Sequence, residues 1–92
     1  MRKMRNIHDV LKNINRLINR FLIDVPNEKL KYINKLTNIE NDIRYMAPEL
    51  VWDYVYNEFV ANFVPPESEL EYKILSIWTT KSVEELKNME DK

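Results

Sequence analysis

The sequence predicts an all-α fold: a compact bundle of four main helices plus a short C-terminal helix. Three observations carry this expectation. Apolar residues recur at steps of three and four along most of the chain. Four prolines, Pro26, Pro48, Pro65 and Pro66, punctuate it between those stretches. None of the 92 residues is glycine, so every turn depends on Asn, Asp, Ser or Pro, which suits short helix–helix connections better than strand hairpins. One domain is expected over 1–92, with helices at about 6–23, 27–46, 48–64, 67–78 and 83–89.

The first helix follows from Ile7, Val10, Leu11, Ile14, Leu17, Ile18, Phe21 and Leu22, which form one stripe. Asn6 or Asp9 is the expected cap at its start. The second takes Leu30, Ile33, Leu36, Ile39, Ile43 and Met46 as its stripe, with Pro26 in its first turn and Asp24 capping it. A short loop near Asp24–Asn27 makes these two an antiparallel hairpin. The third block is apolar almost all round, from Leu50, Val51 and Trp52 to Phe63 and Val64. Alternation at Trp52, Tyr54 and Tyr56 also fits a strand. The polar residues Glu49, Asp53, Asn57, Glu58 and Asn62 recur near every fourth position, and that favours a helix. Ser68 with Glu71, and Ser82 with Glu85, have capping-box spacing and open the last two helices. Thr79 and Thr80 mark a break between them.

Composition removes whole classes of chemistry. Without glycine there is no phosphate-cradling loop, dinucleotide fingerprint or nucleophile elbow. Without cysteine there is no disulfide, zinc knuckle, iron–sulfur cluster or thiol nucleophile. The single histidine, His8, reads as a surface residue and leaves no Ser–His or Cys–His pair. No catalytic residue, metal ligand or cofactor is therefore expected. Hydrophobic residues at 45% make the chain too apolar to be disordered. No apolar run exceeds three residues, so no membrane span is expected. The start, Met1-Arg2-Lys3-Met4-Arg5, has charge but no apolar run behind it, so no leader is expected and the location is read as cytoplasmic. Eleven asparagines beside abundant Ile and Lys fit an AT-rich genome, such as that of a phage or a low-GC bacterium.

The net charge of −1 conceals an asymmetry. In residues 1–25, six bases against two acids leave +4, whereas residues 47–72 carry six acids and no base. On the first helix Arg5, Lys12, Arg16 and Arg20 share a sector opposite the apolar stripe. With Arg2 and Lys3 they form a candidate face for phosphates, for an acidic protein or for an anionic membrane surface, or else a solvated one. The glutamates at 67, 69 and 71 supply negative charge to a helix N-terminus.

The aromatic residues of the third block spread round their helix, more than one core absorbs. Interface cores are rich in Tyr and Trp and poor in Lys and Glu. The contact surface expected from sequence is therefore Trp52, Tyr56 and Phe59, flanked by Glu49, Asp53 and Glu58. The function expected is a non-enzymatic protein–protein interaction module, a small regulator or inhibitor that binds a host or cellular protein. Pairing of two copies as a homo-oligomer is the related expectation. The alternative is a nucleic-acid-associated protein using Arg2, Lys3, Arg5, Lys12, Arg16 and Arg20.

Overall fold

A computed structural model describes residues 5–90. Five α-helices follow in order: α1 Ile7–Phe21, α2 Pro26–Ile43, α3 Pro48–Glu58, α4 Glu69–Thr79 and α5 Val83–Glu90. A 3₁₀ turn, Val60–Phe63, lies between α3 and α4. No strand occurs among the described residues.

Short side chains start most of these helices. Asn6 caps α1 by accepting the His8 backbone N–H at 2.8 Å. Ser68 accepts from the Glu71 backbone N–H at the start of α4. Glu71 turns its carboxylate back to the Glu67 N–H at 2.7 Å, one residue earlier than a standard capping box places it. Ser82 and Glu85 complete a reciprocal box at α5, with bonds of 2.9 and 3.1 Å. The expected Asp24 cap on α2 is absent: the cap residue is Val25, with no side-chain bond, and Pro26 opens the helix directly. The break after α4 lies at Thr80, whose backbone is left-handed (φ 65°, ψ 10°). Its N–H closes on the Ser76 carbonyl at 2.9 Å, the bond that ends many helices at a glycine.

One apolar core ties the elements together. Leu11, Ile14 and Ile18 of α1 meet Leu36, Ile39 and Ile43 of α2, Val51 and Val55 of α3, and Leu70, Ile74 and Leu75 of α4. α1 packs on both α2 and α4, and α4 also packs on α5 and the 3₁₀ turn. No polar or charged side chain is buried among the described residues, so hydrophobic burial holds the centre without an internal polar network.

The third block differs from the expected single helix. α3 stops at Glu58, Phe59 leaves helical geometry (φ −129°, ψ −61°), and the chain resumes as the 3₁₀ turn. Phase explains the break. Val51 and Val60 are nine residues apart, so at about 100° per residue a straight helix would put them on opposite faces. Both are buried here, at 7% and 0% exposure, because the break turns the second half back onto the core. Phe59 and Phe63 then meet edge to face at 5.0 Å, and Tyr32 of α2 lies 6.0 Å from Phe63.

Two stripe residues depart from expectation. Leu30 and Phe21 are exposed, together with Ile23 and Val25, so the α1–α2 turn ends in uncovered apolar side chains.

Candidate interaction surface

Trp52 and Tyr56 are one helical turn apart on α3 and share a face. α4 brings Trp78 against both. The ring centroids are 5.2 Å apart for Trp52–Trp78 and 6.4 Å for Tyr56–Trp78. Both tryptophans are half-buried and Tyr56 is exposed. The surface expected from sequence omits Trp78. That residue shares an apolar stripe with Ile74, and only the α3–α4 packing shows that it completes the aromatic group. Phe59 must be removed from that surface. At 2% exposure its ring belongs to the core, because the break in the third block turns it inward.

Tyr56 and Trp78 also border an open apolar groove of about 400 Å³. They line it together with Val64, Pro65 and Pro66 and with Leu86 and Met89 of α5. Val64 and Met89 are exposed there, which is unfavourable for apolar side chains unless something covers them. The 64–65 peptide in this lining is cis.

The acids of the expected surface divide. Glu49 and Asp53 lie on the same side of α3 as Trp52 and Tyr56, exposed and without an ion pair among the described residues. Glu58 faces the other way and pairs with Lys35 of α2 at 3.9 Å. Such an exposed pair contributes little. Glu69 likewise pairs with Lys87 of α5 at 3.4 Å. Beyond these, Tyr54 donates to Asp42 at 2.5 Å, linking α3 to α2. That bond, more than burial, pushes the phenol up to about 12.

The expected basic face is divided too. Arg2 and Lys3 lie outside the described residues. Arg5 is held by the fold itself, since its guanidinium donates to the Trp78 carbonyl at 2.7 Å and the Ile77 carbonyl at 2.5 Å. These groups end α4, where carbonyls lack partners and the helix dipole is negative. The same guanidinium lies 5.7 Å from the Trp52 ring centroid, a cation–π contact. Arg5 therefore precedes the helix and leaves the row of cations. Lys12, Arg16 and Arg20 remain, all exposed and with no ion pair among the described residues.

A second cleft of about 650 Å³ runs between the start of α1 and the end of α4, lined by Asp9, Asn13, Ser76 and Thr80 among others. Among the described residues no group of His, Asp and Glu is placed to hold a metal ion. No helix among them is long and apolar enough to cross a membrane. Comparison with family models, with curated proteins and with solved structures finds no match.

Proposed function

We propose that the chain is a non-enzymatic protein–protein interaction module, a small regulator or inhibitor that acts by binding a host or cellular protein. One observation carries this reading. An apolar groove lined by Tyr56 and Trp78 opens to solvent, and the exposed acids Asp53 and Glu49 lie one and two turns before Tyr56 on the same side of α3. Interface centres combine aromatic area with a polar rim in this way. The contact set becomes Trp52, Tyr56 and Trp78 with Val64, Leu86 and Met89, edged by Glu49 and Asp53. The reading keeps α1 and α2 as an antiparallel hairpin and keeps a cytoplasmic setting.

Capture from a lysate of the source cells, followed by mass spectrometry, tests it. The wild type should retain a defined protein that Met89→Asp loses. Met89 is exposed, so the change leaves the core untouched. Identical captures by the two would refute the groove as a contact surface.

A nucleic-acid reading rests on the exposed row Lys12, Arg16 and Arg20, which has no ion pair among the described residues. Binding to a labelled duplex at two salt concentrations separates it from the first. Phosphate contacts weaken steeply with salt, and Arg16→Glu with Arg20→Glu would abolish them. Unchanged binding would remove this face from the account.

A further inference from the structure

We propose that α5 is a strap, latched by Lys87, that leaves α4 while the rest of the fold stays closed. The opening needs no partner. Its effect on binding rests on reading the groove as a contact surface, since α5 supplies Leu86 and Met89 to that groove.

The core does not include α5. Every buried side chain among the described residues lies in the chain from Val10 to Leu75. Along α5, Val83 and Leu86 are half-buried and Met89 is 57% exposed. α4, by contrast, buries Leu70, Ile74 and Leu75. The eight residues of α5 are also too few to be helical alone, since isolated helices shorter than about 12–15 residues are marginal in water. α5 is helical because α4 holds it.

The ties that hold it are polar and exposed. The Lys87 ammonium lies 3.4 Å from the Glu69 carboxylate and 5.2 Å from the Tyr72 ring centroid, so one cation joins α5 twice to the first turn of α4. In the link 80–82, the Lys81 carbonyl accepts from the Ser76 hydroxyl at 2.6 Å. The Ser82–Glu85 box closes the first turn of α5 on itself and adds no tie to α4. Exposed ion pairs and cation–π contacts are individually weak, and salt screens them. A segment with few buried apolar contacts and exposed hydrogen bonds opens at a small fraction of the cost of global unfolding. α4 does not need α5 to end, because the Thr80 N–H already closes on the Ser76 carbonyl. Opening withdraws Leu86 and Met89 from the groove and lifts Lys87 from the Tyr72 ring. The full groove therefore belongs to the latched state, and the Lys87 latch sets how much of the protein is in it.

Amide hydrogen exchange of the purified full chain, read by NMR, tests this with Lys87→Met and Lys87→Arg. Lys87 is exposed, and circular dichroism confirms that each variant folds. In the wild type the α5 amides should exchange at least ~10-fold faster than those around Ile74. Low denaturant should quicken exchange around Ile74 and not in α5, because releasing α5 exposes little surface. Lys87→Met should quicken α5 exchange roughly 3- to 10-fold and leave α4 unchanged. Lys87→Arg keeps the charge and stacks on tyrosine, so it should restore the wild-type rate. Raising salt from about 0.01 to 1 M should quicken α5 exchange in the wild type and not in Lys87→Met. Exchange of α5 and α4 at one rate with one denaturant dependence would overturn the proposal, because α5 would then open only with the whole domain. An unchanged α5 rate in Lys87→Met, or a rise shared equally by α4, would overturn it as well. Identical lysate captures by wild type and Met89→Asp would refute the contact surface without altering the exchange result.

Discussion

Replacing Thr80 by glycine should stabilise the protein. Thr80 is the left-handed residue that ends α4, and it is β-branched. For an L-residue this backbone region costs roughly 1–2 kcal/mol, because Cβ crowds the following carbonyl. Glycine removes that cost but loses about 0.5–1 kcal/mol through the greater freedom of the unfolded chain. The substitution also removes the hydroxyl that donates to the Thr79 carbonyl, an exposed bond of small net value. The balance is a gain of about 0.5–1 kcal/mol. At this chain length that raises Tm by roughly 2–6 °C. Thermal unfolding followed by circular dichroism reads it directly. Thr80→Asn should fall between the two, because asparagine tolerates this region better than threonine. A Tm lowered by Thr80→Gly would refute the reasoning. It would mean that the hydroxyl bonds at this corner outweigh the backbone cost.

Three further outcomes are expected. Ile14→Ala and Leu36→Ala, at positions 0% and 2% exposed, should each cost about 2–5 kcal/mol in chemical denaturation. Losses under about 1 kcal/mol at both would mean that the stripes of α1 and α2 are not core. Arg5→Ala should leave the core intact yet shift the intrinsic fluorescence. Trp52 and Trp78 are the only tryptophans and both adjoin the guanidinium, so an unchanged spectrum would refute that contact. Glu85 has its carboxyl pKa lowered, chiefly by the Ser82 backbone N–H. Its stabilising effect is therefore complete above the ordinary glutamate value and lost as pH falls through the lower folded value. Hydrogen exchange at the start of α5 should quicken on acidification in the wild type, relative to Glu85→Gln. Identical pH profiles in the two would contradict this.

The helices are legible where local chemistry announces them. Asn6, Ser68 and Ser82 start helices by side-chain bonds that depend only on near neighbours. The Thr79–Thr80 break is visible as two β-branched residues that interrupt a helix. The end of α3 is not, because neither Gly nor Pro stands at Phe59. The break arises from the distant need to bury both Val51 and Val60, and tertiary packing overrides local continuity there. The same limit governs the surface. Periodicity places Trp52 and Tyr56 on a common face, but Trp78 joins them through a contact between two helices. Helical spacing groups Arg5 with the cations of α1 only if the helix reaches it. Arg5 stands outside α1, and its partners are carbonyls more than seventy residues away. Leu30 and Phe21 fit their stripes by spacing, yet the stripes run past the end of the core and leave both uncovered.

Oxidative footprinting tests the central claim most directly, because the groove is lined by oxidation-prone side chains. Met89 and Tyr56 are exposed on it, and Tyr45, at 89% exposure and outside the groove, is an internal control. The protein would be labelled once in dilute purified form and once in a lysate of its source cells. If the groove is where the chain binds, Met89 and Tyr56 become protected in the lysate while Tyr45 is oxidised as before. Equal oxidation of Met89 in both conditions, or protection of Tyr45 alone, would contradict the claim.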